Sequence, residues 1–339
     1  GKAVTGITLA PGLDKGPINH AFVTANRLTG LTGDGIAVTK ALGEAIIKSN
    51  VVDGVGGAGL MMADDASAAF LTIENNHFTD LGQNLNNQGQ RYAGLQLLGA
   101  KRADIVGNLF GGVAGVANQN PLRAALLAVN AGELRIAANR MFGIGPAEFL
   151  GRTIAIAVDA SFRHLTVEGN SIARIAEASE KPSIAAWQAI VIAAFAVNTG
   201  SAGTSNTIQP LGAMLLPLKD NSFYLSGQRA ILLDPARGVA SVRGNNLRGQ
   251  SPNRPLVEIS SLLGCRFDQN DAELTGNDGL IGIIAADHIG AANNRLVGEG
   301  EAPTLQLIAK KAVVLGNLAT GAIRINAQPV PWDVLNVNI

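Results

Sequence analysis

Leu71-Thr-Ile-Glu-Asn-Asn-His-Phe78 sets a frame that the chain rewrites along its length. Apolar residues stand five and three places before an asparagine, and another stands two places after it. The frame returns as Leu134-Arg-Ile-Ala-Ala-Asn-Arg-Met141, Leu165-Thr-Val-Glu-Gly-Asn-Ser-Ile172 and Leu216-Pro-Leu-Lys-Asp-Asn-Ser-Phe223. Looser copies are Ala240-Ser-Val-Arg-Gly-Asn-Asn-Leu247 and Cys265-Arg-Phe-Asp-Gln-Asn-Asp-Ala272. The frame asparagines are Asn26, Asn50, Asn76, Asn108, Asn139, Asn170, Asn221, Asn245, Asn270, Asn294 and Asn317. Successive differences are 24, 26, 32, 31, 31, 51, 24, 25, 24 and 23, so the base period is 23–26 with a lengthened middle.

A second phrase follows each asparagine: a small residue, an aliphatic one, any residue, an aliphatic one. It reads Gly35-Ile-Ala-Val38, Gly59-Leu-Met-Met62, Gly94-Leu-Gln-Leu97, Ala125-Leu-Leu-Ala128, Thr153-Ile-Ala-Ile156, Ala189-Ile-Val-Ile192 and Ala230-Ile-Leu-Leu233. Gly282-Ile-Ile284, Thr304-Leu-Gln-Leu307 and Ala322-Ile-Arg-Ile325 continue it. Both phrases have period two and are too short for helices, so they predict strands with alternate residues facing inward. Short strands of this kind close no core alone, but stacked coils do. The expectation is an all-β chain: a right-handed, single-stranded parallel β-helix of about 11–12 coils. The asparagine is expected at the corner after a strand, bonding its equivalents above and below and taking the left-handed conformation of the turn.

These residues resemble the parallel β-helix repeat of the pectate-lyase-like superfamily over roughly residues 20–326. That resemblance implies the fold and leaves activity open, since similar proteins include polysaccharide lyases and hydrolases, uronan epimerases, tailspikes, adhesins and structural modules. No enzyme family within it is matched.

The expected organisation is one domain over 1–339, with coils in 20–326 and a C-terminal tail at 327–339. Four insertions, 81–92, 111–123, 142–152 and 173–188, fall in the same segment of consecutive coils, so their loops should stack on one edge. Residues 193–220 hold no placeable frame asparagine until Asn221 and are read as an extra coil or a continued loop, which extends the last insertion to 173–220. Solenoids carry function where loops lengthen. The candidate binding residues are therefore Arg91, Tyr92, Arg123, Glu148, Arg152 and Trp187. Arg91, Arg123 and Arg152 precede the aliphatic phrase in consecutive coils, and a row of them at strand spacing would suit carboxylates of a uronic-acid chain. The bland alternative is that each arginine flanks a strand in solvent, paired with a glutamate such as Glu148.

No catalytic or metal set emerges from the sequence. Lyases of similar fold use a Ca2+ held by several carboxylates, and the hydrolases use aspartates on adjacent coils. Asp64, Asp65, Asp159, Asp234 and Asp287 follow the second phrase in separate coils, where carboxylates commonly form turns. The histidines, His20, His77, His164 and His288, read as scattered among repeats and phases. Gly54-Val-Gly-Gly-Ala-Gly59 lacks the helix and lysine of a phosphate loop. The single Cys265 sits at an inward position and rules out an internal disulfide.

Composition narrows the classes further. Lys plus Arg equals Asp plus Glu at 26 each, which gives no field to gather nucleic acid. The most apolar run, residues 189–197, is far short of a membrane span. Aromatics are 4%, few for a sugar-binding groove. The chain starts at Gly1 without a leader, so it reads as processed or as part of a larger protein. The leading expectation is a non-catalytic structural or binding module of a bacterial surface, secreted or assembly protein, with an extracellular setting favoured and no cofactor. A polysaccharide-active enzyme and a tailspike-like homo-oligomer are the alternatives.

Overall fold

The computed structural model describes residues 4–10, 18–63, 66–83, 91–113, 122–145, 152–159, 162–174, 186–193, 215–219, 221–226, 229–234, 238–250, 255–275, 279–300, 302–329 and 336–338. Its regular structure is all strand: three short strands per coil, each hydrogen-bonded in parallel to its equivalent one coil on. The chain is a parallel β-helix. One coil shows the plan: Ile36–Val38 on a first face, Leu42–Lys48 on a second and Val51–Val55 on a third. The third face is, among the described residues, a sheet of 12 strands. From Val257–Asp268 onward the first two faces run together as single strands of 11 or 12 residues, again in Gly282–Ala292 and Leu305–Leu315.

Alternation sets what fills the interior. Residues five and three places before each asparagine face inward, as Leu71 and Ile73, Leu134 and Ile136, and Leu165 and Val167, all 2% exposed or less. The residue two places after it also faces in, and Phe78 stacks on Phe110 with centroids 5.3 Å apart. Burial of these aliphatic ladders is the main stabilising term, since a coil by itself has no core. Cys265 belongs to the same layer, and its burial, with Asp268 nearby, pushes the thiol up to about 12.

The asparagines form one continuous ladder. From Asn26 to Asn294 each donates its backbone N–H to the next asparagine's Oδ1 at 2.9–3.1 Å and its Nδ2 to the same oxygen at 2.8–3.0 Å. From Asn50 on, Nδ2 also reaches a strand carbonyl of the previous coil, as Asn50 to Val23 and Asn139 to Ile105. Buried amides are thereby satisfied without water. The left-handed residue is not the asparagine but the one before it: Ala25, Ser49, Asn75, Gly107, Ala138, Gly169, Gly244, Gln269, Asn293 and Gly316 have φ of 54–68°. The asparagine is held instead by its side-chain bonds, which fix a corner that the preceding residue turns.

Three sequence assignments shift. Asn170 bonds directly to Asn221, and Ala186–Ala193 pairs with Arg152–Asp159 on one side and Arg229–Asp234 on the other. The described strands on either side are thus neighbours with no coil between them, and residues 175–185 and 194–214 lie outside the described residues. In the coil of Arg152–Asp159, Leu126 pairs with Ile156, so the phrase is residues 155–158, two places later than Thr153-Ile-Ala-Ile156. Finally, Asn317 pairs with Asn336, so the stretch expected as a tail returns to the third face with asparagine again in the frame position.

Candidate functional site

The insertions leave the third face and rejoin the first, as their spacing implies. The third-face strands before the first three insertions bend at a left-handed residue, Asp80, Gly112 or Gly143, as the strand of the preceding coil does at Gly54. The bend brings a second apolar residue inward, and Val55, Leu81, Val113 and Ile144 are buried. The first-face strands that follow are 7 or 8 residues long, against 3 in Ile36–Val38 and Leu60–Met62. Equally lengthened neighbours keep pairing, so the ends of the expected loops are strand: residues 91–92, 122–123, 152 and 186–188.

The register separates the three arginines. Arg91 aligns with Leu122, Arg152 and Ala186; Arg123, one residue out of step, aligns with Tyr92, Thr153 and Trp187. Neighbouring strand positions face opposite sides, so no single arginine row exists. The side chains of Arg91 and Arg152, and all of Glu148, lie outside the described residues, as do Asp64 and Asp65. Tyr92, Arg123 and Trp187 fill the interior of the corner and are 7%, 0% and 1% exposed. Tyr92 donates its hydroxyl to Gly57 O at 3.1 Å, and Trp187 Nε1 donates to Ile144 O at 3.1 Å. Gly82, at φ +73°, leaves room for the Tyr92 ring, which lies 2.8 Å from where a Cβ would stand. Burial raises the Tyr92 phenol, the Asp34 carboxylate adds to this and Arg123 opposes it, so the ring stays protonated as its bond to Gly57 requires. Burial lowers Arg123, and Tyr92 opposes that shift. Tyr92 and Trp187 tie coils together at the corner, and all three residues are too buried to present a stacking surface to a sugar.

Behind the same strands lies a second apolar layer. Leu127, Ala157 and Val191 face away from the main core, yet are 1%, 0% and 0% exposed. Ala93, Leu98, Ala124, Val129 and Ile154 complete the cluster. The first face is therefore apolar on both sides in the coils that carry the insertions. Gln96, Gln188 and Asp159 are buried polar members of its outward side, and Gln188 Oε1 has no hydrogen-bond partner.

The acids do not converge. Asp159 and Asp234 share a register position with Ala193 between them, and Asp287 is 3.0 Å from Lys310. Among the described residues no three His, Cys, Asp or Glu side chains are placed to hold a metal. The histidines are more ordered than their spacing suggests. His20, His164 and His288 occupy one outward row of the second face, five and four coils apart, while His77 is on the third. The long gaps between them leave no site. No helix of the described residues is long and apolar enough to cross a membrane. No protein-family model, curated protein or solved structure matches the chain.

Proposed function

We propose that this chain is a non-catalytic β-helix, a rigid structural or binding module of a larger surface, secreted or assembly protein. The observation that carries the reading is the dry apolar layer on the outward side of the first face, from Ala93 and Ala124 to Leu127, Ala157 and Val191. A glycan-cleaving groove on that face needs acids paired at the outward positions. Alanine, leucine and valine hold the centre of the layer, and Asp159 and Asp234 at its end stand two coils apart with Ala193 between them. Charged groups of the second face support the same reading, because they neutralise one another across coils: Lys48 with Glu74, and Glu168 with both Arg135 and Lys219. These pairs cancel charge along that face.

Isothermal calorimetry against anionic and neutral polysaccharides, with light scattering over a hundredfold concentration range, tests this. A constant monomer mass, with or without heat of glycan binding, fits a rod or platform. A mass that rises with concentration would replace this reading with an oligomerising module.

A further inference from the structure

Three phenylalanines among the described residues are exposed: Phe22, Phe70 and Phe142. Register decides what stands beside each ring. Phe142 leans over Gly111, where a Cβ would lie 2.8 Å from the ring, and has Ala173 on its other side. Phe22 has the aliphatic Ile46 in the next coil. Phe70, 56% exposed on the second-face strand Ala68–Glu74, has polar neighbours instead. Glu44 and Arg102 hold its register position in the coils before and after.

Both flanking side chains are themselves held. His20 Nδ1 lies 3.2 Å from Glu44 Oε2, and Asp104 Oδ2 lies 3.5 Å from Arg102 Nη2. The carboxylate offers acceptors and the guanidinium donors on opposite sides of the ring, about 10 Å apart at two strand spacings. Glu44 beside the ring repels an anionic polymer, and Arg102 already has a carboxylate, so hydroxyl groups are the complement.

We infer that Phe70, Glu44 and Arg102 form a subsite for a neutral oligosaccharide. The C–H face of one sugar rests on the Phe70 ring. Hydroxyls on its two sides donate to Glu44 and accept from Arg102. The apolar area at hand, the Phe22 and Phe70 rings with Ile46, falls short of the core of a standard protein interface. The inference rests on the chain being a non-catalytic binding module, and adds where it binds and what.

The test is calorimetry of the full chain with cellohexaose, xylohexaose and maltohexaose, and with a galacturonic-acid hexamer for comparison. The sugar is recovered afterwards and its length checked. At least one neutral hexamer should bind and return uncut. Phe70→Ala should weaken that binding about tenfold while leaving the melting temperature unchanged, since the side chain is exposed. Phe142→Ala, the control for losing an exposed ring elsewhere, should leave binding as it was. No binding of any neutral hexamer, tighter binding of the acidic one, or binding that survives Phe70→Ala overturns the inference and leaves the non-catalytic module standing. A hexamer recovered shortened overturns the module, and the inference with it.

Discussion

Asn139 Nδ2 donates to Asn170 Oδ1 at 3.0 Å, and Asn170 Nδ2 in turn donates to Ile136 O, three residues before Asn139. Each rung thus ties a side chain both to the next coil and to the strand just completed. Asn139 itself takes part in four such bonds and is fully buried. Asn139→Ala should cost about 3 kcal/mol, because buried partners on Asn108, Ile105 and Asn170 lose their match. Chemical denaturation measures this; an unchanged midpoint would mean that the ladder adds no stability.

The residue before it gives a prediction of opposite sign. Ala138 stands at φ 54°, where Gly107 and Gly169 serve in the adjacent coils. A left-handed alanine carries a steric cost that glycine avoids. Ala138→Gly should stabilise by about 1 kcal/mol, and Gly169→Ala should cost a similar amount, both read as shifts in melting temperature.

Gln188 tests the second apolar layer. It aligns with Ala93, Ala124 and Ile154 and buries an Oε1 that has no hydrogen-bond partner. An unsatisfied buried acceptor costs roughly 1–3 kcal/mol. Gln188→Leu, of similar volume, should therefore leave the chain as stable or raise stability by about 1 kcal/mol. A marked loss would show that the amide is needed there.

On the second face Glu168 receives Lys219 at 2.9 Å and Arg135 at 2.8 Å. The Lys219 hydrogen bond first, and Arg135 with it, hold the carboxyl below its usual range against a smaller opposing effect of burial. A depressed carboxyl contributes stability that is present above the unfolded value, about pH 4.3, and is lost as pH falls through the folded value. Glu168→Gln should cost at most about 1 kcal/mol at pH 7, as surface pairs do. The gap to the unaltered chain should close in acid and shrink in high salt. A gap that persists at pH 3 would contradict this origin.

The coil stack was legible because Leu71, Ile73 and Asn76 have counterparts at matching offsets in every coil, and only inward stacking explains such repetition. The corner was harder to read. Thr153-Ile-Ala-Ile156 and the true phrase two residues later fit the same pattern, because a strand buried on both sides loses the alternation that marks its faces. Tyr92, Arg123 and Trp187 looked like surface groups, being polar or aromatic beside insertions. The partners of Tyr92 and Trp187, Gly57 O and Ile144 O, come from other coils and leave no local trace in sequence.

The most direct test of the central claim is an assay for cleavage products. The full chain is incubated with anionic and neutral polysaccharides, and released unsaturated and reducing ends are counted against a heat-treated control. A non-catalytic module predicts no release above the control on any polymer, whether or not the polymer binds. Release that scales with protein concentration would contradict the account and would point to acids outside the described residues of the corner between the third and first faces.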